Sequence, residues 1–238
     1  MSVDVIIPLG NGSKSNNDEL RLLLRSIDKN CLNLGRIIIV TDKIPTWLKN
    51  VTVIKFKSQY KNNTDAVIID KISVALALDD ITEQFVWTAD DFIFLQTIDL
   101  NHLPVIENLR GYEFFKEAKD KWCKRVAHTF EYFKSKGIDL EVNFDSHTPQ
   151  LCDTKRLTEA LKGVDYYNDP GYSVGTLFMG LLGVTRGIDQ SLLKDTNEDE
   201  GSAELGKLFC GYNDKAFLSG LREKLFDRFP EKSKYEAF

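Results

Sequence analysis

The chain has no CxxC pair. Its four cysteines, Cys31, Cys123, Cys152 and Cys210, are widely spaced, which excludes a zinc ribbon or a thiol redox motif and reads as reduced core thiols. No apolar stretch approaches the roughly 20 residues that cross a bilayer. The start, Met1-Ser2-Val3-Asp4, leads into a strand without a basic segment, an apolar segment or a cleavage site. The expectation is a cytoplasmic protein with no membrane span. Basic charge is not in excess either: 31 Lys and Arg against 36 Asp and Glu give a net charge of −5, so no global field draws nucleic acid to the surface. A dinucleotide fingerprint would need glycine at position 15, where Ser15 stands, and neither a Walker A lysine nor a GxSxG elbow occurs. Rossmann dehydrogenases, P-loop kinases and GTPases, and α/β-hydrolases lose their main support. No repeat is visible at the roughly 20 to 50 residue periods of solenoids.

What is present is 42% hydrophobic and 11% aromatic content over 238 residues, enough to bury a sizeable core as one large domain. Residues 3–9 (VDVIIPL) read as a buried strand closed by the loop Pro8-Leu9-Gly10-Asn11-Gly12-Ser13. A helix follows, capped by Asn17 or Asp18, with Leu20, Leu23, Leu24 and Ile27 on one face and Arg21 and Arg25 on another. Residues 36–42 and 51–56 are two further strands, residues 65–78 a helix, and residues 85–89 a strand again. This alternation predicts a mostly parallel, doubly wound α/β core whose ligand lies beyond the carboxyl ends of the strands. There the Pro8 to Ser13 loop, Thr41-Asp42, the residues after Phe56 and Asp90-Asp91 converge. The second half reads as helical. Residues 112–136 form one long amphipathic helix ended by Gly137, residues 172–184 are extended or irregular, and residues 194–204 (KDTNEDEGSAE) are a polar, acidic loop.

Asp90-Asp91 interrupts the apolar runs 85–89 and 92–95. A carboxylate beside buried strand ends is costly unless a cation or hydrogen-bond donors compensate it. A turn explains the pair as well as a bound Mg²⁺ or Mn²⁺ does. His147 follows Asp145 in a loop ordered by Pro149 and is a candidate metal ligand. Lys71, Arg21 and Arg25 are candidate phosphate contacts, with a solvated helix face as the alternative.

In the order of these elements, the run Asp18-Glu19-Leu20-Arg21 through Ile27, the strand to Thr41-Asp42, Pro45-Thr46-Trp47-Leu48, Thr88-Ala89-Asp90-Asp91-Phe92 and His147-Thr148-Pro149, the chain resembles Stealth-type sugar-phosphate transferases and GT-A glycosyltransferases. It is also similar to small phage and bacterial proteins of glycosyltransferase type, whose C-termini carry a segment like residues 229–236 (FPEKSKYE). The resemblance implies a single GT-A-like, Rossmann-like domain over 1–238, with a central mostly parallel sheet flanked by helices and a helical C-terminal half. Residues 1–95 would be the nucleotide-binding core, and 96–238 the acceptor and metal-completing part. It implies a metal-dependent transfer of a sugar from a nucleotide sugar, a UDP-sugar in the first place, to an acceptor hydroxyl of a glycan or of a hydroxymethylated base in phage DNA. A phage-encoded chain would act in the host cytoplasm. Asp91 would bind Mn²⁺ or Mg²⁺ with His147, and Asp90 would contact sugar or ribose. Pro8, Leu9, Gly10, Gly12, Thr41 and Asp42 would hold the nucleotide, and Lys71 and Arg25 the phosphates. The pattern departs at Ala89, where the first aspartate of a DxD would stand. Asp145, Asp153 or Asp214 would serve as base in an inverting enzyme. Two other readings are a Stealth-like sugar-phosphate transferase and an inactive GT-A-like module that binds glycan or nucleic acid.

Overall fold

The structure, a computed structural model, describes residues 1–60, 63–117, 119–197 and 204–237. The principal strands are β1 (Val3–Pro8), β2 (Leu34–Thr41), β3 (Thr52–Lys55), β4 (Gln84–Trp87), β5 (Phe92–Phe94), β6 (Gln150–Asp153), β7 (Lys194–Asn197) and β8 (Phe209–Tyr212). The principal helices are α1 (Asp18–Asn30), α2 (Thr64–Leu76), α3 (Lys121–Ser135), α4 (Thr154–Leu161), α5 (Val174–Leu181) and α6 (Arg222–Arg228). Strand order in the main sheet is β3-β2-β1-β4-β6, parallel throughout except for β6, which runs antiparallel to β4. The expected mostly parallel α/β core is therefore present.

Alternation along the strands decides which side each residue serves. Ile6, Ile38 and Val40 point into one apolar cluster with α2 to α5. Val5, Ile7, Ile37 and Ile39 point into a second with α1 and α6. Both faces are covered, which is why these strands read as nearly continuous apolar runs. Each cluster draws residues from before and after position 95, so the two parts of the chain share both cores.

The second half departs from the expected pattern in several places. The segment 112–136 is two helices, Tyr112–Phe115 and α3, because Asp120 caps α3 by accepting from the Cys123 amide. Ala118 lies outside the described residues. Residues 172–184 contain α5 rather than an extended stretch, and 194–197 form β7 with Lys194 and Asp195 buried. The acidic segment 198–203 lies outside the described residues. β7 pairs parallel with β8, and β8 antiparallel with β5, making a small second sheet that sequence pattern did not disclose. No helix among the described residues is long and apolar enough to cross a membrane.

Residues 229–236 strap back across α1. Arg25 grips Glu236 with two nitrogens, Nε–Oε1 at 2.8 Å and Nη2–Oε2 at 3.0 Å, and donates to the Phe229 carbonyl at 2.9 Å. Arg21 adds a 3.3 Å contact to the same carboxylate, which is 2% exposed. This corrects the expectation that Arg25 meets donor phosphates: its fork is committed to a buried carboxylate. Arg25→Lys keeps the charge but loses the bidentate geometry, and is expected to lower stability by about 1–2 kcal/mol in urea denaturation while leaving nucleotide binding at the wild-type level. Weakened nucleotide binding would restore Arg25 to the site.

Candidate functional site

The carboxyl end of β1 turns into Gly10-Asn11-Gly12-Ser13 at the point where strand order reverses between β2 and β4, the place where open α/β sheets bind ligands. Ser13 organises this turn. Its hydroxyl donates to Glu19 Oε2 at 2.8 Å and accepts from the amide of Asn17 at 2.9 Å. Asn17 itself is left-handed and makes no side-chain cap, so the start of α1 is held by Ser13 and not by the expected Asn17 or Asp18. Glu19 is thereby drawn into the cavity wall.

Lys71 comes up from α2 with its Nζ 2.5 Å from the Leu9 carbonyl, and is 4% exposed. Burial lowers its pKa, opposed by the charges of Asp42 and Asp90. Asn11 Nδ2 donates to Asp42 Oδ1 at 2.5 Å, and Pro8 lies in register with Val40. Leu9, Asp42 and Asp90 thus meet at one sheet end, as the sequence predicts, and Lys71 reaches them from α2. Thr41 differs: it is buried, with its hydroxyl on the Lys43 carbonyl, so it shapes the loop and does not offer its hydroxyl to a nucleotide.

Asp90-Asp91 is a turn, closed by a 3.2 Å bond from the Phe92 amide to the Ala89 carbonyl. Both carboxylates line a cavity of about 280 Å³ together with Gly10, Gly12, Glu19 and Asp214. Burial raises Asp90 to about 6, reinforced by Glu19, and burial raises Asp91 to about 7, reinforced by Asp90. Like charges held in a poorly solvated wall favour the protonated form. Tyr212 enters the same cavity because Gly211 pairs with Phe92, the residue after Asp91, so that the next residue of β8 arrives beside the carboxylates. Its hydroxyl is buried with no hydrogen-bond partner among the described residues, and burial pushes its pKa well up. It is therefore a neutral donor facing carboxylates. Glu19 and Tyr212 went unnoticed in the sequence. Glu19 carries no signal beyond a helix first turn, and Tyr212 is placed by a strand pairing.

Asp145 and His147 line a separate cleft of about 650 Å³. The His147 ring packs on Phe92 at 5.7 Å between centroids, and its backbone is left-handed at φ 50°. Trp122 Nε1 donates to Asp145 Oδ2 at 2.5 Å. Asp91 and His147 therefore line different cavities, and among the described residues no group of three or more His, Cys, Asp or Glu is placed to hold an ion. Lys194 stands at the boundary. It donates to the Ser146 carbonyl at 2.6 Å, and its charge acts on Asp91. Gly211 makes room for it, because a Cβ there would stand 2.7 Å from Lys194 Cε and 2.9 Å from the His147 carbonyl oxygen. Gly211→Ala is expected to destabilise by about 1–3 kcal/mol, as overpacking does, and to shift the His147 imidazole resonances in an NMR spectrum. Unmoved His147 signals would mean that the two segments are not in contact.

Basic residues cluster at and just before the start of α3, at Lys119, Lys121, Lys124 and Arg125. Arg125 is buried, paired with Asp65 at 3.0 Å and bonded to the Pro170 carbonyl. Lys119, Lys121 and Lys124 remain exposed.

No family model matches the chain, and no curated protein matches its sequence.

Proposed function

We propose that this chain is a glycosyltransferase that uses a nucleotide-sugar donor, and that its donor site is the cavity at the ends of β1 and β4. The observation that carries this reading is the Asp90-Asp91 pair, placed at the switch point of the β3-β2-β1-β4 order and half-buried beside Glu19 and Asp214. Such a wall repels a diphosphate unless a cation intervenes. Its donor atoms are carboxylate oxygens, which suits Mg²⁺ or Mn²⁺, ions commonly bound through one or two carboxylates plus substrate phosphates. Asp91 would hold the ion beside Asp90, while His147 lines the neighbouring cleft and not this cavity. When bound, the ion supplies positive charge to the departing diphosphate.

The remaining work falls to the chain. Gly10 and Gly12 let the backbone approach the donor closely. Lys71 holds the β1 end against Asp42 and Asp90 and adds a buried positive charge where negative charge develops. Asp145, oriented by Trp122, keeps one carboxylate oxygen available to take the proton of an acceptor hydroxyl. Tyr212 offers its unpartnered hydroxyl to a donor oxygen.

The test is mass-spectrometric. The purified chain with MnCl₂ is incubated with UDP-, GDP- and CMP-sugars. Slow metal-dependent release of free nucleotide from one donor supports transfer, and its loss in Asp91→Asn locates the site. Release of the nucleoside monophosphate, with phosphate kept on the sugar, would point instead to a sugar-phosphate transferase. Inertness toward every donor would favour a binding module, the reading that Ala89 in place of a first aspartate leaves open.

A further inference from the structure

We propose that the cleft between Trp122, Asp145 and Asn108 binds the acceptor, and that the acceptor is a saccharide. This rests on the transferase reading for the word acceptor, but the saccharide site itself is argued from the cleft.

The cleft, at about 650 Å³, falls within the roughly 300–1,000 Å³ of small-molecule sites. Of the three tryptophans, Trp47 and Trp87 are buried at 8% and 6% exposure, and Trp122 alone is partly open. Its indole is locked at both ends. The N–H is held by Asp145, and the ring stands edge-on to Phe115 at 5.4 Å. A fixed, half-open indole presents a flat apolar surface with a polar handle already satisfied, which suits the C–H face of a pyranose. Around it stand Asp145, Asn108, Gln190 and Thr196. This set mixes acceptors and donors and matches hydroxyl groups, each of which both gives and takes a hydrogen bond.

The charges argue against nucleic acid. Binding a polyphosphate backbone takes several cationic contacts. The cleft offers Arg110, whose guanidinium lies over Phe114 at 4.6 Å, and Lys194, buried with its ammonium on the Ser146 carbonyl. Asp145 stands among them. The cleft also opens at the right place for transfer. Lys194 lines it while acting on Asp91, and His147 lines it while packing on Phe92, the residue after Asp91.

Saturation-transfer NMR tests this without any donor or turnover. The probes are glucose, galactose, N-acetylglucosamine and their β-linked trisaccharides. A separate arm uses a duplex oligonucleotide containing hydroxymethylcytosine, followed by its own imino signals. We expect at least one saccharide to receive magnetisation, with affinity at least tenfold weaker in Trp122→Phe and in Thr196→Trp, a substitution at an exposed position that fills the cleft. Metal-dependent nucleotide binding should be retained in both variants. Saccharide binding that survives both substitutions, no binding of any saccharide, or binding of the duplex at the cleft would overturn the proposal. Saccharide binding lost in the variants, in a protein that binds no nucleotide, would leave this site standing and remove the transferase reading instead.

Discussion

Asp91→Asn is expected to abolish metal-dependent nucleotide binding and, at the same time, to make the free chain more stable. Both effects follow from one placement. Asp91 sits half-buried next to Asp90, in a cavity that also holds Glu19 and Asp214, and a backbone hydrogen bond and the charge of Lys194 offset this only in part. A carboxylate kept there is expensive for the folded chain and useful only once a cation arrives. The pH dependence follows with its sign. The folded pKa values, about 6 for Asp90 and about 7 for Asp91, lie above those of an unfolded chain, so the folded state binds these protons more tightly. The stability they contribute is fully present below about pH 4 and is lost as pH rises through 6 and 7. Allowing for their partial exposure, Asp91→Asn should recover about 1–2 kcal/mol at pH 8 in the presence of chelator. Urea denaturation at pH 5 and pH 8 reads this directly, and an equal or lower stability of the variant at pH 8 would contradict it.

Lys71→Met is expected to act in the opposite sense, lowering stability by about 3 kcal/mol and weakening nucleotide binding as well. Lys71 is the buried cation between Asp42 and Asp90, and it holds the Leu9 carbonyl at the end of β1. Methionine matches much of its length but leaves that carbonyl without its donor and the carboxylates without their countercharge. Removing one partner of a buried set is far more damaging than replacing the whole set. The double variant Lys71→Met with Asp90→Asn should therefore recover part of the loss. Strict additivity of the two changes in urea denaturation would show that Lys71 and Asp90 do not interact.

The parallel core was legible because its strands are covered on both faces and leave nearly unbroken β-branched runs at residues 3–8 and 34–41. The convergence of Leu9, Asp42 and Asp90 was legible too, since strand ends in such a sheet must face one rim. Long-range partners were not. Nothing local tells that Glu236 claims Arg25 across most of the chain, that Arg125 turns inward to Asp65, or that β8 brings Tyr212 to Asp91. The break between the helices of residues 112–136 was partly visible, since Asp120 is a good cap residue, but the aromatic spacing runs through it and hid the interruption. Residues 172–184 failed for another reason. α5 is short and buried nearly all round, so it shows no amphipathic period.

The central claim is that the Asp90-Asp91 cavity binds the nucleotide of the donor together with a divalent ion. Thermal unfolding of the wild type and Asp91→Asn against UDP, GDP and CMP, each with and without MnCl₂, tests it most directly. At about 100 times its dissociation constant a ligand adds about 2.7 kcal/mol of stability, an easily read upward shift in Tm. The account predicts that shift for one nucleotide, only when Mn²⁺ is present, and only in the wild type. No shift with any nucleotide, or an undiminished shift in Asp91→Asn, would contradict it.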